Sequence, residues 1–216
     1  MQNFNWRHFN MMLLGNLCIG IAVALLRVSA LGTDPFTTMN LGVSGFLHMP
    51  FGIYQLLINL VLLVFVILFA RNLIGFGTIV NMVGIGFVSD FFVYSYSVLF
   101  DDMTLLIVRI ITMAIAALIG SMGVALYITP NLGMAPYDAL AFIIEKLTKK
   151  RIPFPIARIG TDITCVLIGF SFGAIVGIAT VIMAFFTGPF VQFFRKHLAE
   201  PLLENKSTVT GNTVSS

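Results

Sequence analysis

The chain has 216 residues, of which 58% are hydrophobic and only 10% charged, and its mean hydropathy is +1.00. This composition excludes an ordinary water-soluble domain and points to lipid as the solvent. The net charge of +3 does not signal nucleic-acid binding, because the basic residues are dispersed between apolar segments and form no sustained basic face.

A membrane-spanning helix needs about 20 mostly apolar residues. Hydropathy predicts spans near residues 10–30, 51–70, 74–97, 104–128, 156–173 and 174–194. The first imitates a secretory signal, with Arg7 before the apolar stretch Met11 to Leu26 and a small-residue site at Val28-Ser29-Ala30. An internal counterpart of this span argues that it is retained. The last two spans share an uncharged stretch from Ile163 to Phe194. That stretch holds two helices only if the first starts near Ile156 and the chain turns at Gly169-Phe170-Ser171-Phe172-Gly173. Arg158 and Asp162 then lie inside the membrane. Residues 200–216 read as a disordered cytoplasmic tail.

Basic residues prefer cytoplasmic loops. With the N-terminus inside, the cytoplasmic segments hold Arg7, Arg71, Lys146, Lys149, Lys150, Arg151, Arg195 and Lys196, and the opposite face holds only Arg27 and Arg109. Both termini are therefore expected in the cytoplasm, with Asp101 and Asp102 on an outer loop. There, Arg27 and Arg109 read as interfacial anchors.

Laid over itself at an offset of about a hundred residues, the chain matches in order. Leu31, Gly32 and Pro35 fall on Leu132, Gly133 and Pro136, and Pro50-Phe51-Gly52-Ile53 falls on Pro153-Phe154-Pro155-Ile156. Further on, Gly75, Thr78 and Gly86 fall on Gly177, Thr180 and Gly188. Residues 1–100 and 101–199 then form two membrane repeats of three spans each. An odd span count starts the second repeat on the opposite side of the membrane from the first. The predicted fold is thus an all-α membrane protein with six transmembrane helices in two inverted three-helix repeats, an arrangement common in secondary transporters.

Between the first and second span of each repeat lies a short segment opened by Gly and then Pro, Gly32 to Leu47 and Gly133 to Leu147. Asp34 is placed as an N-cap with Pro35 as first helical residue, and Pro136 repeats that role with Asp138 in the first turn. These are either re-entrant half-helices whose starts, with Thr33, Thr37, Thr38, Tyr137 and Asp138, face a polar cavity, or interfacial helices lying flat. Paired interrupted segments of this kind point to a transporter's binding site.

Ionisable groups in spans are costly unless paired or hydrated, so they usually face the bundle interior. Arg158 and Asp162, four residues apart, share a helix face and can neutralise each other. Their repeat counterparts are Gln55 and Asn59, again polar and four apart. The candidate substrate or ion path is Asp162, Arg158, Asp138, Tyr137, Asp34, Thr37, Gln55, Asn59 and Asn81. Asn16, Asn81 and Asp90 have plainer readings, the amides as bonds to a neighbouring helix and Asp90 as a solvated end. The glycines Gly75, Gly77, Gly84 and Gly86 suit close helix packing.

No catalytic or cofactor pattern emerges. Cys18 and Cys165 sit in apolar runs, outside any C-x-x-C or Cys/His spacing, and read as packing residues without metal or redox chemistry. Gly42-Val43-Ser44-Gly45 fits the G-x-S-G string of rhomboid proteases, but a catalytic Ser44 needs a histidine base. His8, His48 and His197 all fall near predicted membrane boundaries, and the string precedes the second span. Tyr137-Asp138 has no accompanying G-x-G-D, as an aspartyl intramembrane protease requires. A non-enzyme is expected.

The LGTDPFTT and LGMAPYDA segments, with IGFGTIVNMVGIGFVSD after the second span, resemble the YczE-like branch of the YczE/YyaS/YitT bacterial membrane proteins over nearly the whole chain. Leu132, Gly133, Pro136, Tyr137 and Asp138 match that family's Leu-Gly-x-x-Pro-Trp-Asp segment with Tyr for Trp. Leu31, Gly32 and Pro35 match the first copy, with Thr37 in place of Asp. The resemblance implies a protein of the bacterial cytoplasmic membrane, and it carries over no catalytic residues. Two readings follow: a secondary transporter or permease for a small polar solute, proton or cation coupled, or a non-transporting accessory protein that supports a membrane complex or biosynthetic enzyme. The sequence names neither the solute nor the oligomeric state.

Overall fold

A computed structural model describes residues 5–100 and 104–204. Asp101, Asp102 and residues 205–216 of the expected tail lie outside the described residues. All regular structure among the described residues is helical: α1 (Trp6–Ser29), α2 (Pro35–Phe46), α3 (Phe51–Phe69), α4 (Phe76–Leu99), α5 (Leu106–Ile128), α6 (Pro136–Leu147), α7 (Phe154–Ser171) and α8 (Ile178–Phe194). Six helices, all but α2 and α6, are long and apolar enough to cross a membrane. With 12 residues each, α2 and α6 extend only about 18 Å and cannot.

The span limits agree with hydropathy except at the C-terminal end. Instead of stopping near 194, α8 tolerates Pro189 and runs on through a wide turn, Arg195–Ala199, into Glu200–Glu204. Arg195 Nε donates to Glu200 Oε1 at 3.0 Å, so these charges sit on the helix instead of ending it. On its other side Leu198, Ala199 and Leu203 pack with Met11, Ala125 and Leu126. That apolar contact holds the first residues of the expected tail in helix.

The centre of the molecule is the pair α1 and α5. A Cβ on Gly15 would meet Tyr127 N at 2.6 Å and Gly123 O at 2.7 Å, while Leu26 packs with Met113 and Ala116. The two helices therefore run antiparallel, and at Gly15 their backbones nearly touch. On one flank α4 lies against α1 and α3 against α4; on the other, α8 lies against α5. The short helices cross over: α2 packs mainly on α7, and α6 on both α3 and α7. By contrast, α7 and α8 make little contact with each other.

The turns that lead into the short helices are built alike. Gly32 and Gly133 have φ of 101° and 117°, a region where L side chains are strained. Each turn docks on the start of a span from the other half: Gly77 N donates to Leu132 O at 2.8 Å and Ala179 N donates to Leu31 O at 3.0 Å. A Cβ on Gly32 would lie 2.8 Å from Gly177 N, and one on Gly133 would lie 2.6 Å from Gly75 N. Gly75, Gly77 and Gly86 all lie against backbone, as their expected packing role requires, whereas Gly84 has nothing within 4 Å. Gly84 is a correction to that expectation, because its helix face meets no neighbour.

The ends of α1 and α5 are also capped alike. Arg109 donates from Nε to Ser29 O and from its terminal nitrogen to Ala30 O, each at 2.6 Å. His8 Nδ1 meets Pro130 O at 3.3 Å. Arg109 thus satisfies carbonyls at a helix end, which helices otherwise leave unpaired, and is more than an interfacial anchor.

Candidate functional site at the meeting of the short helices

Each short helix starts as its residues dictate. The Asp34 side chain accepts from Thr37 N at 3.0 Å, a standard N-cap, and Pro35 follows where no amide donor is needed. Pro136 opens α6, with Asp138 in the first turn. The first turns meet: the Phe36 and Tyr137 rings stack with centroids 4.3 Å apart and planes 15° from parallel. Met39, Cys165, Ile58, Leu62, Leu140 and Ile168 complete the apolar packing around this stack.

Beside it lies a network of charged and polar groups. The Arg158 guanidinium donates to Asp138 Oδ1 at 2.9 Å and reaches Asp162 Oδ1 at 3.4 Å. It also covers the Tyr137 ring, 4.6 Å from the centroid, a cation–π contact. Tyr137 donates its hydroxyl to Asp162, and Tyr127 donates to Asp138. Asp34 lies within electrostatic reach of both Arg158 and Asp162. Tyr127 is 1% exposed, whereas the Arg158 side chain keeps 33% of its surface.

The expected pairing of Arg158 with Asp162 is therefore present but is the longer of two. Asp138, twenty positions earlier in the chain, is the closer partner, a contact that helix periodicity could not give. Tyr127 was missed for a related reason. In a span it reads as one more apolar ring, and only the tertiary fold shows its hydroxyl on Asp138.

The remaining candidates separate into other places. Asn81 donates to Asn16 Oδ1 at 2.9 Å, and Asn16 donates to Met12 O, so this pair ties α4 to α1. Gln55 and Asn59 lie on the buried face of α3 that also carries Gly52 and Val66. Gln55 Oε1, Asn59 Oδ1 and both side-chain polar atoms of Asn40 have no hydrogen-bond partner among the described residues. Thr33 and Thr38 bond each other at 2.9 Å, and Thr37 is buried behind Asp34.

Away from the centre, Arg27 donates to Ser89 Oγ at 2.8 Å and Asp90 Oδ1 at 2.7 Å, while Gly52 N donates to Asp90 Oδ2 at 2.7 Å. Asp90 is thus a structural clamp between α1, α3 and α4, and not the solvated helix end expected. This clamp lines an open cleft of about 540 Å³ with Ser44, Phe51 and Tyr94. A second cleft of about 290 Å³ lies at Asn72 to Phe76 and Ile128 to Met134. Neither is lined by Asp138, Arg158 or Asp162. Ser44 of the G-x-S-G string donates to Leu41 O at 3.3 Å.

Six helices long and apolar enough to cross a membrane, with a charged network where α6 meets α7, define a multi-pass membrane protein. The chain belongs to a family of unknown function, DUF6198, whose profile matches residues 6–196. An uncharacterized protein of Haemophilus influenzae is 31% identical over 182 residues, covering 84% of this chain and 80% of the relative. The uncharacterized membrane protein YczE of Bacillus subtilis is 24% identical over 177 residues, 82% of this chain and 79% of its own. The uncharacterized protein YyaS of the same bacterium is 29% identical over 143 residues, 65% and 70% respectively. These relatives agree with the YczE-like resemblance of the Leu-Gly-Pro segments. No solved structure matches the chain.

Proposed function

We propose that the protein is a secondary transporter or permease of the bacterial cytoplasmic membrane, with both termini in the cytoplasm, carrying a small polar solute through the site where α2 and α6 meet. One observation carries this reading: the stacked Phe36 and Tyr137 join the first turns of two short helices beside Asp138, Arg158 and Asp162. Ionisable groups held at the ends of interrupted helices in spans mark solute and ion paths.

The inverted duplication is part of the same proposal. Equivalent positions share unusual backbone: Ala30 and Asn131 have φ of 51° and 54°, and His48 and Lys149 have 53° and 52°. The reciprocal docking of Leu31 on Ala179 and Leu132 on Gly77 supports it as well. So do Arg109 and His8, which cap equivalent helix ends. In this arrangement α2 and α6 are re-entrant, entering from opposite faces and meeting near the membrane centre at Phe36 and Tyr137. Two similar bundles then rock about α1 and α5 and expose the site to each side in turn.

Arg158 suits a carboxylate, and Asp138 and Asp162 suit an amine or a proton. The test is flux of radiolabelled small carboxylates and amines into vesicles reconstituted with the protein. Asp162→Asn, still folded and inserted, is expected to abolish a flux seen with the wild type; a variant that transports normally removes Asp162 from the path.

A second reading, an accessory membrane protein without transport, draws support from the weak contact between α7 and α8 and from clefts that do not open on Arg158. A partner helix seated against α7 would then cover the part of Arg158 left exposed. Copurification of a stoichiometric partner, together with no flux of any solute tested, is the outcome that favours it.

A further inference from the structure

The second half places a charged network where the first half places neutral polar side chains. In the repeat, Asp138, Arg158 and Asp162 fall on Thr37, Gln55 and Asn59. Gln55 and Asn59, with Asn40 of α2, stand out among the buried side chains: Asn40 is 0% exposed, Asn59 2% and Gln55 4%. Four of their polar atoms lack a partner: Asn40 Nδ2 and Oδ1, Gln55 Oε1 and Asn59 Oδ1. Leaving a buried amide unpaired is costly, so this concentration on α2 and α3 is unlike ordinary packing. Three of the four atoms are acceptors, which asks for a ligand that offers positive charge rather than one that accepts hydrogen bonds.

Packing brings these oxygens toward the acidic centre. Leu41, next to Asn40, packs with Phe51 of α3. One turn earlier on α2, Phe36 joins Ile58 and Leu62 around Tyr137. Asn40 therefore lies between the levels of Phe51 and Ile58, on the turn of α3 that leads to Gln55. Farther along the buried stripe of α3, Val66 packs with Ala139 and Ile143 of α6, so Asn59 lies toward the start of α6 that bears Asp138.

Charge arithmetic points the same way. Among the described residues, Asp34, Asp138 and Asp162 stand against Arg158 alone. The starts of α2 and α6 each supply about half a positive charge. With the side chains ionised, roughly one negative charge is left uncompensated, an expensive state within a membrane.

We propose that one monovalent metal cation of the sodium or potassium class binds at the α2–α3 contact, coordinated by the side-chain oxygens of Asn40, Gln55 and Asn59 beside the acidic centre. Hard cations take oxygen ligands, and a divalent ion at such a site draws on carboxylates where these three ligands are neutral. As the coupling ion this cation rests on the transporter reading; its binding is an equilibrium property measured without flux.

The experiment follows thermal unfolding of the purified full chain in detergent as NaCl or KCl replaces choline chloride at constant ionic strength. A saturable rise is expected with one alkali cation, roughly 5 °C at a hundredfold excess over Kd. Asn59→Leu should weaken that response at least tenfold, while Asn59→Asp, which keeps an oxygen and adds charge, should retain or tighten it. If Asn59→Leu does not fold, Asn59→Asp and the wild-type cation series decide. Equal unfolding in sodium, potassium and choline across neutral pH overturns the proposal in favour of a proton as the compensating charge. An unchanged cation response in Asn59→Leu and Gln55→Leu overturns the assigned ligands. Cation binding without solute flux would sink the transport reading and leave this site standing; solute flux in a protein whose unfolding ignores alkali cations would do the reverse.

Discussion

Arg158 is held from three directions, by Asp138, by Asp162 and by the face of Tyr137. Breaking a buried ion pair costs about 3–5 kcal/mol. Arg158→Met should fall at the lower end of that range, because a third of the side chain is exposed. Asp138→Asn, which keeps an acceptor for Tyr127 and Arg158, should cost less than Arg158→Met. Unfolding of the two variants in detergent ranks them, and the reverse order would show that Asp138, not Arg158, organises the network. Sequence made Arg158, Asp162 and Asp138 legible because a charge in an apolar span is conspicuous. It did not reveal Tyr127 or the true partner of Arg158, since both depend on helices brought together from distant parts of the chain. Asp90 was misread for the same reason: its partners Arg27 and Gly52 lie on other helices.

At the scale of elements, glycine and proline gave the most reliable signals. Pro35 and Pro136 mark the helix starts, and Gly32 and Gly133 mark the turns before them, all placed correctly from sequence. Gly133→Ala should be strongly destabilising. Backbone strain alone costs about 1–2 kcal/mol, and the new Cβ would sit 2.7 Å from Thr78 Oγ1. Gly84→Ala meets nothing within 4 Å and should stabilise α4 by up to about 1 kcal/mol. Thermal unfolding of both proteins tests the pair, and a tolerated Gly133→Ala would mean that the Leu-Gly turn is free to move away from Gly75. The end of α8 was not legible, because Arg195 and Lys196 look like a helix stop when their apolar neighbours Leu198 and Ala199 are not yet seen against α1 and α5.

For the whole molecule, hydropathy was enough to count the spans, whereas the proposed inversion needed the ordered Gly and Pro matches, since apolar runs resemble one another by composition. The depth of α2 and α6 depends on where two chain-distant turns meet, and no local pattern encodes that. Transport through a midplane site requires Phe36 and Tyr137 to reach the same level from opposite faces. The direct measurement places nitroxide labels at Phe36→Cys and Tyr137→Cys, one at a time, in reconstituted protein with Cys18 and Cys165 changed to Ser. Collision with oxygen and with a water-soluble nickel chelate then gives the depth of each label. Both labels should lie at one depth, about 15 Å from either edge of the hydrocarbon core. Labels found at headgroup depth, or at opposite interfaces, would contradict the re-entrant pair and the midplane site built on it.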